Sequence, residues 1–390
     1  MKKIHFSVGN VLPKVAQVAQ LVNQKNTIPI LENVMLQSYN GQFLNITASD
    51  GETWLLVSTK VELIEDNIEY CVNAQRLNTA LKSLGSNEEV VAEFNEQNHI
   101  AKFIYSSGNF ELPFLDAVNF PNPSPTSQTE ENTFAIELES KRLFNGISLT
   151  EFATDNDSLH PQFNGIHVDF VNNEEKNVTQ IIFVSTDTRK LVRFTQDLNS
   201  RYDEFNGKGF TLPKKAALTI IQILSNQENE QSCAITFNDR NFVIQTDSSK
   251  LSTRLIAGNF PNYNLVIPTN YDKKAIVGRD SLIGALKRVM AFANQKTLMA
   301  TLTFDDNHIV LDTKDIDYNT SAQEIIDCTY YGEPIEIGFP CNGLIDVVRN
   351  VRNESVQIKM IDSTKAGMII PSEEPDDEEY VSIQMPMQIW

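Results

Sequence analysis

A hexapeptide recurs in this chain. Ala117-Val118-Asn119-Phe120-Pro121-Asn122 returns with one residue changed as Ala257-Gly258-Asn259-Phe260-Pro261-Asn262. The surroundings of each copy read alike: a helix, several short strands, then this turn. A self-similar period constrains architecture before any local pattern does. Here it is roughly 140 residues, against about 20–50 for a solenoid unit, so each copy has the size of a domain with its own core. The chain therefore reads as three similar domains in tandem, with the third copy ending at the C-terminus.

A length of 390 residues fits two or three domains, and 41% hydrophobic content suffices for ordinary cores. No apolar run approaches the roughly 20 residues of a membrane span. Met1-Lys2-Lys3-Ile4-His5 is not followed by the apolar core of a signal peptide, which argues for a cytoplasmic protein. Cys71, Cys233, Cys328 and Cys341 are scattered, as buried thiols in a reducing compartment would be, and fit neither a disulfide framework nor a zinc site.

Each domain is expected to hold two helices, each followed by strands. The first-helix segments are residues 11–24, 140–152 and 279–294; the second are 74–84, 213–224 and 341–351. Leu282, Leu286, Val289 and Met290 fall on one helical face, as do Leu77, Leu81 and Leu84. Pro13 and Pro213 read as first-turn prolines. Runs such as Ile181–Val184, Cys233–Phe237 and Phe242–Thr246 have strand length and β-branched content. Linkers are placed near Pro123–Glu131 and Pro268–Lys273, giving domains 1–128, 129–269 and 270–390. The acidic run Glu373–Glu379 reads as a solvated loop before a last strand.

Charge is segregated by element. Acids outnumber bases 51 to 32, for a net charge of -19. Yet the helix segments and their flanks carry Lys14, Lys25, Arg76, Lys82, Lys141, Arg142, Lys214, Lys215, Arg279, Lys287, Arg288, Arg349 and Arg352. Their interior acids are only Glu151 and Asp346. A basic helix face is commonly just solvated surface; the same bias in six related helices points to a shared anionic partner. If the domains close around a centre with helices inward, the inner wall is positive. Such a wall neutralises phosphates without reading sequence, while an acidic exterior repels DNA elsewhere.

Enzyme signatures are missing. There is no phosphate-cradling glycine loop and no Gly-x-Ser-x-Gly nucleophile turn. His5, His99, His160, His167 and His308 stand apart from one another and from cysteine, so no metal site is expected. Asp155 and Asp157 read as a solvated loop and not as a Mg²⁺ site. No active site and no cofactor are expected.

Four stretches carry a family resemblance: Asn26-Thr27-Ile28-Pro29-Ile30-Leu31, the two Asn-Phe-Pro-Asn turns, Ser185-Thr186-Asp187-Thr188-Arg189-Lys190-Leu191, and Met385-Pro386-Met387. In their order and spacing the chain resembles the bacterial sliding clamps, the beta subunits of DNA polymerase III, over essentially its whole length. The resemblance implies the α+β DNA clamp fold: three similar domains, each with two helices packed on antiparallel sheets, forming a ring as a head-to-tail dimer around duplex DNA. It implies a non-catalytic processivity factor that tethers the replicative polymerase, the clamp loader and repair proteins to double-stranded DNA. The basic positions expected to face DNA are Lys25, Arg76, Lys82, Lys141, Lys214, Lys215 and Lys287.

The resemblance also implies a cleft for hydrophobic partner peptides. Matched by motif, it would use Phe163, Thr186, Thr188, Arg189, Leu191, Pro261, Leu265, Val266, Ile383, Met385, Pro386 and Met387. Read without the family, Met385 and Met387 suit the core end of a strand. The dimer contacts implied are Phe110 and Leu112 on an edge strand of the first domain, and Ala291 and Phe292 on the first helix of the third. Phe110 reads equally as core. Two departures stand out. The family often has Gly-His-Arg-Leu where this chain has Thr188-Arg189-Lys190-Leu191, and it commonly ends just after Met-Pro-Met-Arg-Leu where this chain has Gln388-Ile389-Trp390. A narrower cleft with a more apolar rim is the expectation. The rival readings are a diverged clamp paralogue with altered partners, an acidic non-DNA scaffold, and a hydrolase with an unrecognised site.

Overall fold

The computed structural model describes residues 2–23, 26–38, 41–122, 133–157, 159–225 and 232–389. They form two compact units, one of Met1–Phe144 with Leu218–Leu255 and one of Asn145–Ala217 with Ile256–Trp390. This partition follows the sheets and divides the expected middle domain between the units. The linker expected at Pro123–Glu131 lies outside the described residues; of the one expected at Pro268–Lys273, residues 268–272 carry no regular structure and Lys273 begins a strand.

Among the described residues six α-helices appear where the apolar periodicity places them: α1 (Val8–Ala19), α2 (Ala74–Lys82), α3 (Ser140–Thr150), α4 (Lys214–Ser225), α5 (Arg279–Met290) and α6 (Cys341–Arg349). Leu77 and Leu81 are buried on α2 and Leu282, Leu286 and Val289 on α5, as expected, whereas Met290 is half-buried and Leu84 lies beyond the end of α2. One start differs. α1 begins at Val8, so Pro13 lies in its interior and not in its first turn. The cause is tertiary: Val8 N and Gly9 N donate to Glu88 O and Ser86 O at 2.9 and 2.8 Å, which satisfies amides that a helix start leaves open. Pro13 then removes the bond to the Gly9 carbonyl. Burial of Val8, Val11, Val15 and Val18 holds the helix regardless. Pro213 precedes the first residue of α4 and ends a strand.

All strand pairs are antiparallel. The first unit holds a 13-stranded sheet, the second a nine-stranded and a four-stranded sheet. In the first unit the strand Thr53–Lys60 pairs with Ser249–Arg254, placing Trp54 opposite Ser252. In the second, Lys190–Asp197 pairs with Glu378–Gln384, placing Leu191 opposite Ile383. Fourth strand of one repeat to last strand of the next is thus a junction used twice. Helix-to-sheet packing is close: a Cβ on Gly146 of α3 would stand 2.1 Å from the Phe183 ring.

The acidic run is only partly a loop. Glu373–Asp377 lie outside strands, but Glu378 and Glu379 begin the last one. Glu379 pairs with both oxygens to Arg193 at 2.9 Å, and Glu378 accepts from Gln196 Nε2 at 2.8 Å. Cys71, Cys233 and Cys341 are buried and Cys328 is half-buried, all as free thiols. Burial pushes the Cys71 thiol up to about 12.

Candidate binding cleft and basic helices

The turn at the start of the strand Lys190–Asp197 is built by its own side chains. Asp187 Oδ1 accepts from the amides of Arg189 and Lys190 at 3.0 and 2.8 Å. Thr186 Oγ1 accepts from Thr188 N at 3.0 Å and donates to Lys190 O at 2.7 Å. These are the local bonds for which Asp and Thr are favoured in turns. Thr188 takes a φ of 71°, an uncommon conformation for a β-branched residue. The chain end is stitched to this turn: Met385 N donates to Arg189 O at 2.8 Å.

A second wall comes from the Asn259-Phe260-Pro261-Asn262 turn. Phe260 packs edge-on against Phe163, centroids 5.8 Å apart, and stacks flat on His167 at 4.6 Å. Beneath it, Tyr263 donates to Asp169 Oδ2 at 3.0 Å. Burial, with the Asp169 carboxylate beside it, raises the Tyr263 hydroxyl pKa, so this donor keeps its proton. Arg193 ties the segment down through Asn264 Oδ1 at 3.1 Å.

Between these walls lies a cavity of about 250 Å³ lined by Phe163, Thr186, Thr188, Arg189, Lys190, Leu191, Phe260, Pro261, Asn262, Tyr263, Val266, Ile383 and Met385. Its floor, Leu191 and Ile383, belongs to a buried apolar cluster with Val184, Met368 and Val381. Apolar residues at the mouth are open to solvent: Val266 is 53% and Met385 43% exposed. An apolar slot of this size with a few polar groups at its mouth suits a short apolar segment.

Nine of the twelve expected residues meet here. Leu265, Pro386 and Met387 do not line the cavity. Leu265 is 82% exposed on the outside of its turn. The tail departs after Met385 because Met387 N bonds to Gly338 O at 2.8 Å, on the edge of the strand Ile335–Pro340. Met387, Gln388 and Ile389 instead border a separate open groove with Thr301 and Asp312. Gln388 and Ile389 therefore do not line the cleft, and Trp390 lies outside the described residues. Arg189 and Lys190 also line the cavity, with Lys190 Nζ held by Asp187 Oδ2 at 2.6 Å. The sequence reading missed Phe260, Tyr263, Lys190 and Asn262. Phe260 and Asn262 lie inside the repeated hexapeptide, which was the available signal.

Of the expected DNA-facing residues, Lys25 lies outside the described residues. Arg76 and Lys82 on α2, Lys141 on α3, Lys215 on α4 and Lys287 on α5 are exposed, and Lys214 is half-buried. Arg76, Lys82, Lys141, Lys214 and Lys287 form no salt bridge among the described residues. Three helix arginines differ. Arg142 pairs with Glu139, Arg288 with Glu324 and Arg349 with Asp346.

The expected dimer residues divide. Residues 109–112 pair with the strand Ile100–Tyr105, whereas Phe114–Asp116 pair with Ile68–Asn73. The front half of this strand is thus a free edge. The two expected side chains are covered within the chain: Leu112 is 7% exposed, and Phe110 is half-buried and stacked on Phe103 at 4.7 Å. The edge itself offers open backbone. Ala291 and Phe292 follow the last residue of α5 and do not lie within it, and Phe292 is 47% exposed. Beside it, the strand Thr320–Asp327 pairs on one side only, and its Ile325 is 61% exposed.

Among the described residues there is no cluster of three His, Cys, Asp or Glu side chains able to hold a metal, and no helix long and apolar enough to cross a membrane.

Comparison with known families decides the identity of this arrangement. The N-terminal, central and C-terminal domains of the DNA polymerase III beta subunit match residues 3–124, 137–262 and 264–388, in that order. The chain belongs to the DNA polymerase III beta-subunit family. Beta sliding clamps of Haemophilus influenzae and Pseudomonas putida are 24% and 26% identical over 388 residues, covering 99% of this chain and 100% of each relative. The fold is shared with solved clamps. A sliding clamp from Bartonella birtlesii bound to griselimycin superposes with a TM-score of 0.90 at 24% identity. The Thermotoga maritima beta subunit does so with 0.88 at 20% identity; both comparisons cover all of both chains. The α+β clamp fold of three similar domains expected from the sequence is the one found. The clamp's role follows: a non-catalytic processivity subunit of the replicative polymerase.

Proposed function

We propose that two copies of this chain close head-to-tail into a ring around duplex DNA, with the basic helix residues facing phosphates and the cavity at Leu191 and Ile383 receiving hydrophobic segments of polymerase, clamp loader and repair partners. The observation that carries the reading is the pattern of used and unused sheet edges. Thr53–Lys60 pairs with Ser249–Arg254, and Lys190–Asp197 pairs with Glu378–Gln384. Both join the fourth strand of one repeat to the last strand of the next. The remaining edges of those two kinds are Thr320–Asp327 and the front of Gly108–Asp116. Pairing them between two copies satisfies both edges and leaves neither kind open for further growth. The repeats are then clamp domains 1–128, 129–269 and 270–390, working in the cytoplasm.

Unpaired Lys and Arg side chains act on phosphates through charge and water, which permits sliding without a preferred register. Retention is topological, so individual contacts can be weak. The deciding experiment loads the protein on nicked circles and on the same DNA linearised. A clamp stays on the circle and leaves the linear form; equal retention on both contradicts the ring.

A further inference from the structure

The frame of the cleft occurs twice in this chain. In the second repeat its mouth is the turn from Thr186 to Leu191, and in the first repeat Ser49 to Trp54 build a turn with the same three amide-to-side-chain bonds. Thr188 N and Gly51 N each donate at 3.0 Å to the hydroxyl two residues earlier. Asp187 Oδ1 receives the next two amides at 3.0 and 2.8 Å, and Asp50 Oδ1 does the same at 3.0 and 2.8 Å. Both central residues have positive φ, 71° and 98°. The short helical turn that presents Phe163 is closed by Phe163 N to His160 O at 2.9 Å; its counterpart is closed by Leu31 N to Ile28 O at 3.0 Å. An Asn-Phe-Pro-Asn turn completes each frame.

The difference lies in one register pair. Where the cleft has Leu191 opposite Ile383, the first repeat has Trp54 opposite Ser252. A large side chain and a small one replace two of middle size. Trp54 is 7% exposed, and its Nε1 donates to Pro121 O at 2.9 Å. Pro121 is the counterpart of Pro261, which lines the open cavity. The indole thus reaches from the strand to the proline turn, across the span that the second repeat leaves empty. The small Ser252 side chain leaves room for it.

We infer that the first repeat holds a second, closed copy of the peptide cleft, with the Trp54 indole as its resident occupant. The inference rests on the peptide-cleft reading of the Leu191 cavity. It makes Trp54 the residue that limits the chain to one open cleft. A vacated first-repeat site would take the same class of ligand, a short hydrophobic segment.

The test is calorimetric titration of the full chain with a synthetic peptide carrying one leucine and one phenylalanine. The parent is expected to bind one peptide per chain. Trp54→Leu, which copies Leu191, is expected to bind two, and Trp54→Phe, which keeps a ring in place, one. A single site in Trp54→Leu overturns the inference while leaving the cleft reading intact. No binding by the parent overturns the cleft reading and the inference with it. If Trp54→Leu does not melt cooperatively, Trp54→Met, which fills more of the space, is titrated instead with the same criterion. Loss of the fold with both substitutions makes Trp54 a core residue and overturns the inference as well.

Discussion

Leu191 and Ile383 are direct register partners on neighbouring strands, 4% and 3% exposed, and both face the same cavity. They serve the core and the cleft at once. Val266, at the same cavity, is 53% exposed and serves the core little. Val266→Asp should therefore separate binding from folding. Its expected effect on stability is within about 0.5 kcal/mol, and on peptide binding a loss of about 1.5 kcal/mol or more, roughly tenfold. Leu191→Ala should cost stability as well, on the order of 2–5 kcal/mol. Melting curves beside peptide titrations check both. An unchanged peptide affinity in Val266→Asp would remove that residue from the site.

Thr188 holds the turn position that glycine holds at 51, with φ of 71° against 98°. A β-branched side chain there stores strain of about 1–3 kcal/mol, part of which glycine returns as unfolded-state entropy. Thr188→Gly is expected to raise stability by up to about 1 kcal/mol and to widen the mouth of the cavity. Denaturant titration measures the first effect. A lower midpoint would show that the Thr188 contacts outweigh its backbone strain.

Phe292 is 47% exposed and Leu112 is 7% exposed, although both stand near edges expected to pair between copies. Phe292→Asp should leave the chain folded and shift it to monomer in sedimentation, because burying an unpaired charge at an interface costs several kcal/mol. Leu112→Asp should instead unfold the first unit, since its charge would enter the chain's own core. Dimers that persist in Phe292→Asp would place the contact elsewhere.

Lys214 and Lys215 open α4. Reversing both to Glu should weaken loading and lower the salt concentration at which first contact with DNA fails, while peptide affinity stays unchanged. Retention after loading on a closed circle should depend far less on salt, because linkage holds the ring. The comparison is loader-dependent retention of parent and variant at two salt concentrations. Equal loading would make the two lysines plain solvated surface.

Features that are local in sequence were legible before the structure. Helix faces repeat every three or four residues, so Leu282, Leu286 and Val289 could be placed inward directly. The Asp187 turn is held by bonds spanning two or three residues. Two features misled. Pro13 looked like a helix start because the amides that begin α1 earlier are satisfied by Ser86 and Glu88, far along the chain. Met387 was expected in the cleft through the Met385-Pro386-Met387 motif, but a backbone bond to Gly338 turns the tail away.

The sequence by itself determined the repeat, the helices, the turn chemistry and the basic bias of the helices, because each is written in neighbouring residues and in the recurrence of motifs. Only the tertiary structure decided which apolar residues are open and which are sealed. Leu191 lines a cavity while its counterpart Trp54 closes one, and Phe292 is exposed while Leu112 is core. The physical reason is that burial is set across strand pairs and not along the chain. The fate of Trp54 depends on Ser252 opposite it. The hydroxyls of the adjoining pair, Thr53 and Thr253, meet at 2.9 Å across a sequence separation of 200 residues. No window of local sequence contains both members of such a pair.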